Sequence, residues 1–309
     1  MELGVKLVGR MLEAVARLAP TNLDLSNVCC RVARGIGANQ SMRAIARSSL
    51  AELSSNPELL ADLLARKANR TRPDKPSEDH LLQALGDIQA CLQVLHVRPF
   101  LLFGSLLGPI RDQRFIPGDD DLDLGVLGQE GFQLAEQAII QSDSLKVIGT
   151  RRVGSTVTKL RLLHENGTLI DIKLFNRESC GGVSWYVHLG NYSLKKIYPH
   201  PFDLGKLTFK GLDCAIPAEP ERFLDWQYGN WRKPDSSYSM LTSGPINSEA
   251  HFLFVDECAP FAMTRALYHG RSQRFADDVH NMVSLFPQDD LWQDLERNIS
   301  TVMPLSKAG

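Results

Sequence analysis

The stretch that decides the fold is FGSLLGPIRDQRFIPGDDDLDLGVL, residues 103–127 of a chain of 309. An apolar run from Pro99 to Phe103 leads into it and predicts a buried strand. The strand is followed by Gly104 and Ser105, where the missing side chain of the glycine lets another group approach the backbone closely. We therefore expect another group to approach the backbone closely at these two residues.

A basic connector with Arg111 and Arg114 comes next, and Pro117-Gly118 marks a turn after it. The acidic run 119–123, DDDLD, then passes directly into the apolar residues 124–127. Carboxylates inside an apolar strand are costly unless something positive balances them.

Alternate side chains of a strand share a face, so Asp119, Asp121 and Asp123 are predicted to point the same way. Three carboxylates on one edge repel one another, and burial strengthens the repulsion. A hard divalent cation, Mg²⁺ or Mn²⁺, is the usual solution. The alternative is a solvated loop or a helix cap, but the apolar flanks favour a metal site.

Residues 156–175 read as two strands around Glu165-Asn166-Gly167, and Asp171 lies in the apolar second strand. A two-residue Asn-Gly loop would place Leu162 opposite Asp171. A three-residue loop would instead pair His164 with Thr168.

The three-residue loop also places Arg161 opposite Asp171 and Lys159 opposite Lys173. We favour it because it gathers the charges on one face and leaves the aliphatic residues for the core. Asp171 is then a candidate third metal ligand, with Lys159 and Arg161 as charges for a substrate phosphate. An Arg161–Asp171 ion pair without a catalytic role is the competing interpretation.

The chain is predicted to be α+β, with an N-terminal all-helical unit. Gly104-Ser105, a spacer, Asp121-x-Asp123 and a third carboxylate on a later strand resemble the signature of the nucleotidyltransferase fold, which implies a nucleotidyltransferase-like mixed sheet flanked by helices. Helical periodicity covers much of residues 3–68, and the polar, proline-containing segment 67–76 reads as a linker. We expect a helical accessory domain over residues 1–70 and a catalytic domain over residues 71–309.

The first helical segment carries an apolar stripe that includes Leu7, Val8, Met11 and Val15. Packing on neighbouring helices and attachment to a membrane surface both fit such a stripe. Packing is favoured because the polar face is mixed in charge.

The bulk composition is that of a globular protein, with 43% hydrophobic residues, 23% charged residues and a net charge of −2. This charge predicts no nucleic-acid partner. Six scattered cysteines, with no CxxC pair, indicate reduced thiols in a cytoplasmic protein. No secretory leader or membrane span is expected, and peripheral contact with the inner face of a membrane is left open but not indicated.

Residues 185–192 hold Trp185, Tyr186, His188 and Tyr192, which could stack on a base or a sugar. Core packing is the more frequent role of such aromatic residues.

The stretch 103–125 resembles the motif of the LicD/fukutin-related phosphotransferases, usually FGTLLG, a basic connector and FIPWDDDID. The apolar strand around Asp171 and the IP…E…L…YGNW…P segment at 216–234 match in order and spacing. Gly118 replaces the tryptophan of the family, which affects the pocket beside the metal.

The resemblance implies transfer of a phosphorylated alcohol, such as phosphocholine or ribitol phosphate, from a CDP-activated donor to a glycan or cell-surface polymer. It implies that Asp121 and Asp123 bind the metal and that Asp119 is a further acidic group, a candidate base. Gly104 and Ser105 would offer backbone N–H groups to the donor phosphates, and Arg111 and Arg114 could contact the same phosphates. A nucleotidyltransferase that moves a nucleoside monophosphate to a small molecule or protein would use the same carboxylates, and a non-catalytic scaffold is a third hypothesis.

Overall fold

The computed structural model describes residues 2–65, 75–117, 119–189, 192–235, 237–245 and 249–303. Helices and a mixed open sheet make up this part of the chain, and its N-terminal region is helical. The predicted α+β class is confirmed. Most of the predicted linker 67–76 and the turn residue Gly118 lie outside the described residues.

Eleven helices are described. Five precede the first strand: α1 (Glu2–Arg17), α2 (Leu23–Gly35), α3 (Asn39–Ser54), α4 (Pro57–Ala65) and α5 (Glu78–Gln93). Two lie among the strands, α6 (Phe103–Asp112) and α7 (Gln129–Ile140), and four follow them: α8 (Pro220–Tyr228), α9 (Glu249–Tyr268), α10 (Ser272–Leu285) and α11 (Asp290–Val302).

Nine strands are described: β1 (Phe100–Leu101), β2 (Asp121–Leu127), β3 (Leu145–Val153), β4 (Thr156–His164), β5 (Leu169–Arg177), β6 (Val183–Leu189), β7 (Tyr192–Tyr198), β8 (Leu204–Phe209) and β9 (Leu212–Pro217). Seven of them follow the order β3-β4-β5-β2-β1-β9-β8, and β6 pairs with β5 and β7. β2 runs parallel to β5 and β1 parallel to β9, so the sheet is mixed.

The contacts within the chain divide it into two compact units. One contains residues 72–188 and 193–234, and the other contains residues 1–71, 189–192 and 235–309. Helices α9, α10 and α11 thus group with α1 to α4. The predicted division into residues 1–70 and 71–309 did not include this grouping of the last helices with the first. That the two predicted domains fold independently stays a prediction.

The connection between β1 and β2 differs from the prediction. The strand expected over 99–103 is two residues long, and α6 begins at Phe103, so Gly104 and Ser105 lie in the first turn of a helix. Phe103 has a φ of +45°, which is uncommon for an aromatic residue. The basic connector is helical as far as Asp112, although Pro109 lies inside the helix.

The β4–β5 hairpin has the predicted three-residue loop. The amide of His164 donates to the carbonyl of Thr168 at 2.8 Å, and Gly167 has a φ of +89°. Arg161 faces Asp171 across the pair, and Lys159 faces Lys173. The preference for gathering the charges on one face is confirmed.

Alternation along the central strands separates the core from the site. The side chains of Leu122, Leu124, Ile170 and Ile172 are almost completely buried and belong to one core cluster with Phe100. Because β2 and β5 bury these aliphatic positions, they present the intervening charged positions together.

The apolar stripe of α1 does not pack as predicted. Leu7, Met11 and Val15 are exposed, with 62% of Leu7 accessible to solvent. Gly9 and Ala16 are buried instead, and a Cβ at Gly9 would lie 2.5 Å from Oγ of Ser41 on α3. The close approach of two helices selects the small residues, which turns the large apolar ones outward.

Across the described residues, we find no helix with the length and apolar character needed to cross a bilayer.

Candidate active site

The site is built on the adjacent parallel strands β2 and β5. Asp123 and Asp171 are direct partners in this pairing, and Asp121 lies two residues before Asp123 on the same strand. Asp171 is 5% exposed, whereas Asp121 and Asp123 are half-buried. The structure therefore brings the three predicted metal ligands to one face of two neighbouring strands.

Two lysines neutralise this cluster, Lys173 on β5 and Lys159 on the neighbouring strand β4. Lys159 donates from Nζ to Oδ2 of Asp171 at 2.5 Å, and Lys173 bonds Oδ1 of Asp123. Arg161 is more distant, with Nε 3.9 Å from Oδ1 of Asp171 and a guanidinium nitrogen 4.0 Å from Oδ2 of Asp121. Lys159 and Arg161 thus lie at the site, as expected from the sequence.

The two lysines differ in their electrostatic balance. Burial lowers the pKa of Lys159, and the charge of Lys173 lowers it further. Burial also acts to lower the pKa of Lys173, but Asp123 and Asp171 outweigh it and raise the pKa above its ordinary value. Lys173 is consequently the more firmly charged partner of the carboxylates.

Ser105 fixes the position of the acidic strand. Its Oγ accepts a hydrogen bond from the backbone N–H of Asp123 at 2.9 Å, while the amide of Leu102 donates to the carbonyl of Asp123 at 3.0 Å. The first turn of α6 is therefore tied to the centre of β2.

Gly104 lies against Asp119, and a Cβ at this glycine would collide with Oδ2 of the carboxyl. Burial, followed by the charge of Asp123, raises the pKa of Asp119 to about 6. A carboxylate with such a pKa is able to accept a proton near neutral pH.

Asp121 is the most perturbed acid of the cluster. Burial, followed by the charges of Asp123, Asp171 and Asp119, raises its pKa to about 7 against the opposing charge of Lys173. Bringing a divalent cation to these oxygens would relieve the repulsion that raises the pKa.

The donor atoms fit a hard cation. Carboxylate oxygens of Asp119, Asp120 and Asp121 lie within 4.8 Å of one another, and of the three predicted ligands only Asp121 belongs to this group. Oδ1 of Asp171 is buried and accepts no hydrogen bond from the described residues. An oxygen-only set of this kind suits Mg²⁺ or Mn²⁺ better than a softer metal.

The two arginines of the connector are not brought to the carboxylates. Arg111 bonds Asp112 at 2.8 Å and donates to the carbonyl of Trp231 at 3.2 Å. Arg111 and Arg114 both lower the pKa of Asp112, so they act at the end of α6.

Of the aromatic residues on β6, Trp185 is part of the core. Trp185 is 1% exposed and stacks on Phe175 with ring centroids 4.8 Å apart. His188 Nε2 lies 2.8 Å from Oγ1 of Thr158, and Nδ1 lies 2.8 Å from Oγ of Ser193. Burial, then Arg151, lowers the pKa of His188 to about 4, so the ring is neutral at pH 7.

Lys173 lies on the charged face predicted from the sequence, but its role as a site residue was not predicted. It is 9% exposed, and its Nζ lies 5.0 Å from the ring centroid of Phe103. A lysine two residues after a buried aspartate in an apolar strand shares its face, and that spacing could have identified it.

A second group of possible metal ligands, Asp87, His164 and Glu165, is structural. Nε2 of the buried His164 lies 3.0 Å from Oδ2 of Asp87, and Nδ1 accepts from the amide of Asn166 at 3.2 Å. Both ring nitrogens are used, so this histidine has none left for a metal.

The mixed sheet and the carboxylates paired on β2 and β5 agree with the nucleotidyltransferase-like fold expected from the sequence. Comparison with family models agrees, since residues 96–219 match the LicD/FKTN/FKRP nucleotidyltransferase domain. The match confirms the resemblance for this part of the chain and suggests a transferase.

Two curated relatives are similar to part of the chain, and both carry the description "uncharacterized protein". One, from Rickettsia prowazekii, is 28% identical over 167 residues, which cover 52% of this chain and 58% of the relative. Another, from Rickettsia typhi, is 25% identical over 189 residues, which cover 57% and 56%. The chain spans little more than half the length of the curated relatives it matches.

Proposed function

We propose that the unit of residues 72–188 and 193–234 is a metal-dependent phosphotransferase. It would move a phosphorylated alcohol, such as phosphocholine or ribitol phosphate, from a CDP-activated donor to a hydroxyl of a glycan or cell-surface polymer. The observation that carries the proposal is the direct pairing of Asp123 with Asp171, with Asp121 beside them, in a LicD-family domain.

Asp121, Asp123 and Asp171 would hold Mg²⁺ or Mn²⁺, which when bound neutralises the charge of the donor diphosphate. Lys173 and Lys159 hold two of these carboxylates in place. Arg161, which is 44% exposed at its side chain, has the freedom to turn toward a substrate phosphate.

Asp119 is our candidate base. The oxygen of an acceptor hydroxyl attacks the phosphorus that carries the alcohol, and its proton passes to the Asp119 carboxylate. The bond from that phosphorus to the bridging oxygen breaks, and CMP leaves with that oxygen. Gly104 supports this role because any larger residue would displace Asp119.

The test is CMP release from labelled CDP-choline, CDP-ribitol and CDP-glycerol in the presence of Mg²⁺, after a thermal-shift screen for the donor that binds. We expect D121N and D171N to lose more than about 100-fold in rate while they remain folded. D213N, at an exposed carboxylate on β9, should retain the rate of the wild-type protein. Wild-type rates in D121N and D171N would refute the assignment.

The alternative is transfer of a nucleoside monophosphate from an NTP, which the description of the matched domain as a nucleotidyltransferase favours. The same carboxylates would then act on a triphosphate. Incubation with each labelled NTP separates the two functions, because this reaction releases pyrophosphate and the proposed one releases CMP. Pyrophosphate release without CMP release would replace our proposal by the alternative.

A further inference from the structure

We propose that the outward face of α1 attaches this protein to the surface of an anionic lipid bilayer. The proposal concerns residues 2–36, which belong to the helical unit, and it is independent of the proposed chemistry.

The outward face of α1 is continuous and apolar. At 3.6 residues per turn, six positions fall on about one third of the helix circumference. All six are exposed and none carries a charge or a hydrogen-bonding side chain: Gly4, Leu7, Val8, Met11, Ala14 and Val15. Leu18, just after the helix, is 84% exposed.

The helix cannot bury this face by rotating on its neighbours. Its opposite side is already in contact with α3, where Gly9 and Ala16 are buried and a Cβ at Gly9 would meet Ser41 at 2.5 Å. Val5 and Leu12 are partly buried against the same core.

Cations border the apolar face on one side. Lys6, Arg10 and Arg17 are exposed and lie together on the adjacent strip of the helix surface. Glu13 lies beyond them, is less exposed and pairs with Arg17 at 3.5 Å. An apolar strip with a border of cations is complementary to acyl chains beneath anionic headgroups.

The neighbouring helix α2 repeats the pattern. Val28, Val32 and Ile36 recur at every fourth position and are exposed, and Arg31 is exposed beside them. Residues 1–35 carry five lysines and arginines against three carboxylates, although the whole chain has a net charge of −2.

A bilayer suits this surface better than a protein partner. Residues 1–36 contain no phenylalanine, tyrosine or tryptophan, which usually form the energetic centre of a protein–protein interface. A convex helix face of leucine, valine and methionine needs no shape complement in a lipid surface.

The test is co-sedimentation of the full chain with phosphatidylcholine vesicles that contain or lack about a third of phosphatidylglycerol. We expect binding to the anionic vesicles that weakens in high salt, because screening reduces the attraction of the cations. The double variant L7E/M11E should bind at least about tenfold less, and R10E severalfold less. I140E changes an apolar residue that is 69% exposed on α7 and should bind like the wild-type protein.

Equal binding of the wild-type protein and L7E/M11E, or no binding to either vesicle, would overturn the proposal. Sedimentation velocity without lipid tests the main alternative, in which a second copy of this chain covers the face. A dimer that L7E/M11E abolishes, together with no vesicle binding, would assign the face to a second copy of this chain. Circular dichroism of each variant checks that the helices are retained.

Discussion

At the scale of single residues, the site depends on the balance between buried carboxylates and the lysines that face them. Lys173 contributes most to this balance, because it contacts Asp123 and keeps its charge despite burial. Taking away one partner of a buried pair leaves an uncompensated charge, which costs more than the pair itself contributes.

We predict that K173M lowers the free energy of unfolding by about 3 kcal/mol in the absence of metal. Urea denaturation followed by circular dichroism measures the change, and added Mg²⁺ should recover part of the loss. K206M is the matched control, because Lys206 pairs with an exposed aspartate. A K173M protein as stable as the wild-type protein would show that the pairing is unimportant.

Asp121 gives the metal-free protein a pH dependence with a defined sign. The unfolded chain releases this proton near pH 3.8, whereas the folded protein keeps it until about pH 7. The folded state binds more protons in that window, so the Asp121 contribution to stability is present at low pH and is lost as the pH rises toward 7.

Mg²⁺ reverses the sign of this pH dependence of stability, because the metal binds the ionised carboxylate of Asp121. We expect the increase in melting temperature on adding Mg²⁺ to grow between pH 5.5 and 8. D121N should show a smaller increase with a weaker pH dependence. A constant increase in the wild-type protein would argue against Asp121 as a ligand.

At the scale of elements, the sequence predicted the β4–β5 hairpin in detail but not the segment between β1 and β2. Gly167 and the alternating charges of both strands specify one loop length and one register, so local information was sufficient. The Gly104-Ser105 pair and Pro109 resemble a loop, yet tertiary packing extends a helix through all three. The helical period of α1 revealed an apolar face, but its orientation depends on the close contact of Gly9 with α3.

Two helical glycines, Gly108 and Gly86, provide a matched test of how close packing restricts side chains on a helix. A Cβ at Gly108 on α6 would lie 2.5 Å from the carbonyl oxygen of Arg114 and 2.9 Å from the amide nitrogen of Ile116, so G108A should destabilise the protein by about 1–3 kcal/mol. A Cβ at Gly86 on α5 would meet only Leu212, at 3.8 Å, and G86A should stabilise by about 0.5–1 kcal/mol. Chemical denaturation measures the change in the free energy of unfolding for both variants. Equal changes would contradict the role of the close contacts around Gly108.

At the scale of the whole molecule, the helical unit is discontinuous in sequence. One core cluster combines buried residues of α3 and α4 with buried residues of the last three helices: Leu50, Leu53, Leu60 and Leu63 with Val255, Met263, Phe275 and Trp292. Sequence reasoning placed a boundary near residue 70, but it had no means of detecting that residues 235–309 return to the first helices.

We predict that a fragment of residues 1–70 does not fold alone, because nearly half of the buried residues in the two core clusters of the helical unit come from beyond residue 250. Its ¹H–¹⁵N correlation spectrum should show the narrow amide dispersion of an unfolded chain. A well-dispersed spectrum would support an independent domain that ends near residue 70.

In the full chain, W292A should lower the free energy of unfolding by about 3–5 kcal/mol, because the side chain is completely buried.

The pairing of β1 has a consequence for biosynthesis. Phe100 pairs with Gly125 on one side and with Ala215 on the other, and the second partner is translated about 115 residues later. While the ribosome is still producing the intervening chain, that edge of the nascent sheet has unsatisfied backbone groups beside a large aromatic ring. Slow translation between codons 126 and 215 should therefore favour aggregation and chaperone capture of this protein.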